Sequence, residues 1–302
     1  MKLSIAIVSY NARDDLERCL TSVLASTGLD SFEVLVADNA SSDGSAAMVR
    51  ERFPDVHVVE LEDNVGFSRA SNRLWRQARG EQIVFLNSDT LVPKTALASL
   101  AAILRESPKL GALGPKLRNA EGVLEMSYGK QLSFLHELRQ KLLNWGYRNG
   151  DGFLKDYVHR QYLAERSVDW VSGACLVAPR PLIAQIEGFD ENFFLYSEDV
   201  DLCARIREQG HDVRFTPRVE ITHLGGRSMR KEKSLAFVEA QRSRVYFYAK
   251  HYGQPRLLLL KMYVTFTLFA RFVFRPADRD ACRRLASSVW GGSTPVSASR
   301  TP

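Results

Sequence analysis

The sequence predicts an α/β protein: a mostly parallel sheet flanked by helices, followed by a C-terminal helical, amphipathic extension. Three observations predict it. Over the first 115 residues, short runs that are apolar almost throughout alternate with runs of helical spacing, as in a sheet covered on both faces. Three of the strand-like runs end in polar clusters, as expected where an open sheet holds a ligand. Beyond residue 230 the chain turns aliphatic and basic.

The elements follow in order. Leu3–Ser9 reads as a strand, and Ala12–Ala25 as a helix with Leu16, Leu20, Val23 and Leu24 on one side. Phe32–Ala37 is a second strand. Ser45–Phe53 is a helix ended by Pro54, and Val56–Leu61 a short strand. Phe67–Ala78 is helical and stops at Gly80; Gln82–Leu86 is a fourth strand. Pro93 suits the first turn of a helix running to about Glu106. The alternation stops near Leu117, and residues 118–167 offer one amphipathic helix, Phe134–Leu143. Sheet signal returns at Trp170–Ala178, before a turn at 179–181 and a helix near Val200–Glu208. Val213–Ile221 is a last strand, with Pro217 marking an edge or a bulge.

This organisation divides the chain into residues 1–115, 116–230, a helical extension over 231–290 and a Ser/Thr/Pro-rich tail at 291–302 expected to be disordered. A hydrophobic fraction of 45% and a charged fraction of 25% allow an ordinary core. The four cysteines form no CxxC pair; Cys19, Cys175 and Cys203 sit in apolar or amphipathic runs and read as reduced core thiols in a cytosolic setting. The start, Met1–Val8, has one cation and too short an apolar run for a signal peptide, so it reads as the first strand.

The net charge of +6 is uneven: residues 241–302 carry eleven Lys/Arg against two Asp/Glu, or +9, leaving −3 for the rest. Leu257–Phe274 is the most apolar segment, interrupted by Lys261 and Arg271 and flanked by aromatics and cations. That pattern fits a helix lying in a membrane interface; packing on the protein and spanning are the alternatives. The cations flank aliphatic runs instead of lining a polar face, which argues against nucleic acid.

Strand one ends in Ser9-Tyr10-Asn11, strand two in Asp38–Gly44 and strand four in Asn87-Ser88-Asp89. No GxGxxG follows strand one and no GxxxxGK[ST] occurs, so the dinucleotide fingerprint and the P-loop are absent. Asp89 is a hard oxygen donor suited to Mg²⁺ or Mn²⁺ beside a diphosphate, with Asn87 a weaker one. Taken alone, the triplet reads as a cap of the next helix.

Two further constellations change that reading. Gly188–Asp199 carries Asp190, Glu191, Glu198 and Asp199 among Phe194, Tyr196 and other aromatics. A carboxylate at the mouth of an aromatic pocket suits deprotonation of a hydroxyl. Asp201 reads instead as a surface i,i+4 partner of Arg205. His223 follows a strand and precedes Gly225-Gly226-Arg227-Ser228, within reach of a metal or phosphate.

The chain resembles family 2 glycosyltransferases of GT-A fold, and within them the bacterial rhamnosyltransferase-like group. The matching segments are Val8–Asn11, Asp38–Ser45, Asn64–Phe67 with Asn72, Phe85–Asp89, Gly188–Arg205 and His223–Ser228. The resemblance implies an inverting transfer of a sugar from a nucleotide diphosphate to a saccharide or lipid-linked saccharide in cell-surface polysaccharide synthesis, with dTDP-L-rhamnose the favoured donor. It implies Asp38 on the pyrimidine, Ser9 and Asn11 beside the nucleotide, and Asn64, Gly66 and Phe67 over base and ribose. Arg69 would approach a phosphate, Asn87 and Ser88 would touch the donor, and Asp89 and His223 would hold Mg²⁺ or Mn²⁺. Asp199 matches the catalytic base, with Glu198 orienting it. Trp170, Asp190, Glu191, Phe194 and Tyr196 are candidates for the acceptor.

Asn87 stands where many members carry a first Asp, which removes one negative charge from the metal site. A peripheral position on the inner face of the cytoplasmic membrane, with contact through 241–290, is expected. The alternative is a catalytically inactive sugar-nucleotide-binding partner in an assembly complex. A nucleotidyltransferase would need a glycine- and basic-rich loop after strand one, where this chain has Ser9–Asp15.

Overall fold

The computed structural model describes residues 2–149, 152–225, 233–274 and 279–290. The chain opens with β1 (Leu3–Ser9), α1 (Arg13–Leu24), β2 (Phe32–Asp38), α2 (Ser45–Arg52), β3 (His57–Glu60) and α3 (Phe67–Trp75). β4 (Gln82–Asn87), the two-residue β5 (Thr90–Leu91), α4 (Ala96–Arg105), β6 (Leu110–Arg118) and β7 (Leu124–Glu125) come next. Then β8 (Tyr128–Gly129), α5 (Phe134–Asn149), α6 (Gly152–Gln161), β9 (Arg166–Ser167) and β10 (Trp170–Val171) form the irregular middle. β11 (Cys175–Pro179), α7 (Arg180–Gln185), α8 (Glu198–Glu208) and β12 (Asp212–His223) complete the sheet region. Among the described residues, the helices α9 (Lys233–His251), α10 (Gln254–Phe274) and α11 (Arg279–Trp290) follow.

The main sheet runs β3-β2-β1-β4-β11-β6-β12-β5. β1 pairs in parallel with β2 and β4, β2 with β3, and β6 with β12. β11 runs antiparallel between β4 and β6, and β5 antiparallel to β12. Both faces of β1, β2 and β4 are covered. Leu3, Ile5, Ile7, Val34, Val36 and Leu86 pack with α1, α2 and α4; Ala6, Leu35, Ala37 and Phe85 pack with α3, α7 and α8. That two-sided burial explains why these strands read as continuous apolar runs. All four cysteines are buried and none forms a disulfide.

Several boundaries differ from the sequence reading. β6, a central strand, was not foreseen, because Gly111, Gly114 and Pro115 hide it. A Cβ at Gly111 would lie 2.5 Å from Ile206, and one at Gly114 2.5 Å from Val171, so close packing demands the glycines. Pro93 sits in the turn before α4, its carbonyl accepting from Ala96 N (2.9 Å). The Trp170–Ala178 run splits into β10 and β11 around residues 172–174. α8 starts two residues earlier than expected, and α5 extends to Asn149 with α6 behind it. The bulge expected near Pro217 is present: the β6–β12 register shifts between Thr216 and Glu220.

α10 packs one face only. Leu257, Leu260, Val264 and Leu268 join Phe247 of α9 and Leu285 of α11 in a third core that reaches Phe193 and Val200. The tail at 291–302 and Gly226, Arg227 and Ser228 of the late motif lie outside the described residues.

Candidate functional site

The sheet register assembles the first part of the site. Ser9 lies opposite Asp38 and Val8 opposite Asn87, so three polar strand ends share one edge. Ser9 and Asp38 are buried, and neither Ser9 Oγ nor Asp38 Oδ1 has a hydrogen-bond partner among the described residues. Such buried polar atoms need a partner, and a ligand's polar ring would supply one. Burial raises the Asp38 carboxyl above its usual range despite hydrogen bonds from Ser41.

The loops behind these ends are cross-tied. Asn11 Oδ1 accepts from Ser42 N (2.8 Å), and Asn11 N donates to Ser41 Oγ (3.0 Å). Asn39 Oδ1 accepts from Val65 N (2.9 Å), while Asn39 Nδ2 donates to Asn64 Oδ1 (2.8 Å), which also accepts from Gly66 N (3.1 Å). Gly66 has φ +85°, and a Cβ there would stand 2.5 Å from the Phe194 carbonyl oxygen. Phe67 N donates to that same oxygen (2.7 Å). The 64–67 loop and the acidic aromatic segment are therefore in contact, though 128 residues separate Gly66 from Phe194.

Asn72 explains its own place in the motif set. Its side chain accepts from Phe189 N (2.9 Å) and Trp75 Nε1 (2.8 Å), and donates to Phe189 O (2.8 Å) and Glu191 (3.0 Å). Glu191 also receives Arg69 at 3.8 Å and Arg76 at 3.4 Å, so Arg69 and Glu191 form an exposed clamp across the two halves.

At the end of β4, His223 Nε2 lies 3.2 Å from Asp89 Oδ1 and 3.3 Å from Asn87 Nδ2. The β12–β5 ladder sets this by pairing His223 with Thr90. On the other side of the ring, His223 Nδ1 meets Glu125 Oε2 at 2.8 Å. Burial opposes the imidazolium, but Asp89 and Glu125 outweigh it and raise His223 to about 10. Among the described residues no three His, Cys, Asp or Glu groups converge as a complete metal cage. Once Nε2 gives up its proton to an incoming cation, the donor set is a carboxylate, an imidazole and an amide, which suits Mn²⁺ or Mg²⁺ completed by diphosphate oxygens. Ser88 occupies the turn between Asn87 and Asp89.

The carboxylate pair at the start of α8 faces the same end of the sheet. Asn87 N donates to Ala174 O (3.0 Å), and the neighbouring Gly173 N donates to Asp199 Oδ2 (2.9 Å). Asp199 Oδ1 accepts from Val200 N (2.8 Å). Two residues thus link the Asn87 strand end to the Asp199 carboxylate. Burial raises Asp199, against those backbone N–H groups. Burial and the charge of Asp199 push Glu198 up to about 8, and its Oε2 has no partner among the described residues.

Tyr196 and Ser197 enter α8 with φ of +70° and +64°. Left-handed backbone at a bulky residue is strained, and such strain gathers at functional sites. Asn11 and Ala40, at the opposite strand ends, share it (φ +48° and +63°).

Other candidates face elsewhere. Asp190 binds Lys250 (2.7 Å), Tyr246 (3.0 Å) and Asn192 (2.9 Å), which turns its carboxylate toward α9. Trp170 Nε1 donates to Lys130 O (2.9 Å), Phe194 is half-buried against Gly66, and Tyr196 is exposed. Asp201 corrects the surface-pair reading: it does bind Arg205 (2.8 Å), but it is fully buried, and Lys250 and His251 (2.8 Å each) close around it. Helix α9 covers this face of α8, which sequence spacing could not reveal.

Two contributors escaped the sequence reading. Gly173 had a signal, the Ser172-Gly173 turn that interrupts a strand run. Glu125 had none, because only the β6–β7 pairing brings it to His223.

The fold is of GT-A type. At TM-score 0.62 and 18% identity it matches a mannosyltransferase from Pyrobaculum calidifontis in complex with GDP-Man and Mn²⁺, over 97% of this chain and 88% of that one. S. aureus TarS (residues 1–349, with UDP) matches at TM-score 0.54 and 18% identity, over 92% and 74%. Residues 4–157 match the family model described as Glycosyl transferase family 2. The chain belongs to glycosyl transferase family 2. It is 28% identical, over 96% of its length and 98% of the relative's, to an N-acetylglucosaminyl-diphospho-decaprenol L-rhamnosyltransferase of Mycobacterium tuberculosis. It is also 29% identical to the O-antigen biosynthesis protein RfbC of Myxococcus xanthus, over 76% of this chain and 18% of that protein.

Proposed function

We propose that this chain is an inverting glycosyltransferase that moves L-rhamnose from dTDP-L-rhamnose to a lipid-linked saccharide in cell-surface polysaccharide synthesis. End-to-end similarity to a decaprenol-linked L-rhamnosyltransferase supports the donor and the acceptor class. The observation that carries the reading is the short bridge from Asn87 through Ala174 and Gly173 to Asp199. It brings a basic carboxylate to the strand ends where Ser9, Asp38 and Asp89 gather.

In this reading Ser9 and Asp38 hold the pyrimidine, and Asn11 shapes the wall beside the nucleotide. Asn64, Gly66 and Phe67 close over the base and ribose, and Arg69 swings from Glu191 toward a phosphate. Asn87, Asp89 and His223 would hold a divalent cation, Mg²⁺ or Mn²⁺, which would offset the charge of the departing diphosphate. Asp199 takes the proton of the acceptor hydroxyl as its oxygen bonds to the anomeric carbon and the bond to the diphosphate breaks. That single displacement inverts configuration. Burial and the neighbouring Asp199 raise Glu198, while backbone N–H groups from Gly173 and Val200 favour the charge on Asp199, so Glu198 is the member of the pair that keeps its proton. Phe194, Tyr196 and Trp170 border the acceptor's approach, and the chain acts peripherally at the inner face of the cytoplasmic membrane through 241–290.

A panel of sugar nucleotides, tested with an undecaprenyl- or decaprenyl-linked N-acetylglucosamine acceptor, tests the proposal. Turnover with dTDP-L-rhamnose above all other donors is expected. Turnover restricted to another donor removes the rhamnosyl assignment, and donor binding with no transfer to any acceptor favours the inactive-partner alternative.

A further inference from the structure

Helix α10 has two apolar faces. Leu257, Leu260, Val264 and Leu268 are buried against α9 and α11. Leu259, Met262, Phe266 and Phe269 are exposed, the last two at 70% and 67%. Helix α5 carries a second stripe at helical spacing: Leu138, Leu142 and Trp145 are exposed, Trp145 at 64%. One side-chain contact joins the two helices. Lys141, between Leu138 and Leu142 on α5, donates to the Tyr263 hydroxyl (3.3 Å) beside Met262 on α10. Its ammonium also lies 5.5 Å from the Tyr263 ring centre.

Cations border this surface. Arg256 and Lys261 lie on α10, which has no acidic residue, and Arg139 and Lys141 lie on α5; Arg271 turns instead to the Phe237 ring of α9, 3.8 Å from its centre. Exposed aromatic and aliphatic side chains rimmed by Lys and Arg match the surface of an anionic bilayer. α10 is long and apolar enough to cross a membrane, with a mean hydropathy of 1.7. Spanning would strip its inner face from the third core.

From the Lys141–Tyr263 contact we infer that α5 and α10 form one docking face for an anionic phospholipid surface, so the protein stands on two legs instead of one tail helix. This deepens, and rests on, the lipid-linked acceptor reading. Only four residues separate Gly129 at the end of β8 from the start of α5, and β8 pairs with β10 at Trp170. The bilayer would therefore lie beside the acceptor side of the site.

Flotation of the full chain with phosphatidylglycerol/phosphatidylcholine vesicles and with phosphatidylcholine vesicles alone is the test, with dTDP-L-rhamnose binding measured in parallel. The wild type is expected to float with the anionic vesicles at least tenfold more than with the neutral ones. Leu142→Glu with Trp145→Glu, and separately Phe266→Glu with Phe269→Glu, should each reduce flotation at least tenfold while sugar-nucleotide binding persists. Wild-type flotation of the α5 variant overturns the two-legged face. Absence of wild-type flotation, with a dimer in sedimentation equilibrium that either variant dissolves, assigns the face to a second copy. Loss of sugar-nucleotide binding in the wild type counts against the proposed function, whatever the vesicles show.

A separate observation concerns Glu125. The Nδ1 contact to Glu125 directs the other ring nitrogen of His223 toward Asp89 and Asn87. We propose that Glu125 is a positioning residue that holds His223 for a divalent cation, within the metal reading given above. Mn²⁺ titrations followed by electron paramagnetic resonance, without substrate, should show 10–100-fold weaker binding for Glu125→Ala and partial recovery for Glu125→Gln, which can still accept from Nδ1. Mn²⁺ affinity unchanged in Glu125→Ala, with loss in Asp89→Asn, overturns the role of Glu125 alone. Absence of Mn²⁺ binding in the wild type overturns both.

Discussion

The strand ends of β1, β2 and β4 and the start of α8 face one another, yet they are held by different forces. On the strand side, backbone pairing sets the positions: Ser9 stands beside Asp38 because the parallel ladder leaves no other register. On the helix side, charged side chains do it. Asp201, one turn along from Glu198, gathers Arg205, Lys250 and His251 in a buried cluster that binds α8 to α9. Burial would raise the Asp201 carboxyl, but His251, Arg205 and Lys250 hold it down at about 2. The strand side should therefore tolerate loss of charge around it, and the start of α8 should not.

Three expected outcomes sharpen this contrast. The largest is at Asp89. Asp89→Ala removes the acid next to His223, and turnover should fall by about 10³-fold or more, roughly 4 kcal/mol, as several kcal/mol of charge stabilisation are lost. Glu125 still pairs with His223, so thermal stability should fall less than on loss of the Asp201 charge, which calorimetry checks. A collapse of stability would make Asp89 structural.

Next is Asp201→Asn, which leaves Lys250 and Arg205 without their buried counter-charge and should cost about 3 kcal/mol of stability. Chemical denaturation measures it, and α9 should lose hydrogen-exchange protection first. The sign of the pH effect follows from the depressed pKa. The stabilisation is fully present above the unfolded carboxylate's value near 4 and is lost as pH falls toward about 2. From the shift, it amounts to about 2 kcal/mol. Acid stability equal in wild type and Asp201→Asn would contradict the clamp.

The smallest effect is the pH profile of turnover. Burial raises Asp199, so activity should decline tenfold per pH unit below its raised pKa. Donor affinity should hold over that range. Parallel decline of both would place the titration on the donor side.

The same contrast governs what could be read from the chain. β1, β2 and β4 and their polar ends were legible because two-sided burial makes continuous apolar runs and the ligand edge follows from topology. The motif set reached Asp199 and His223 through family resemblance. β6 stayed hidden because Gly111 and Gly114 serve close packing with Ile206 and Val171 and carry no strand signal. The Asp201 cluster was invisible since Lys250 and His251 come from some fifty residues downstream. Asp201 with Arg205 gave a true pairing but a false environment, because i,i+4 spacing says nothing about what covers the helix.

The central claim is that base and donor site are separable, and Asp199→Asn tests it most directly. Calorimetric binding of dTDP-L-rhamnose with Mn²⁺ is compared with transfer in the wild type and the variant. The account predicts donor affinity within about threefold of wild type and a transfer rate lower by about 10²–10⁴-fold. Wild-type transfer in Asp199→Asn, or loss of donor binding together with transfer, would contradict it.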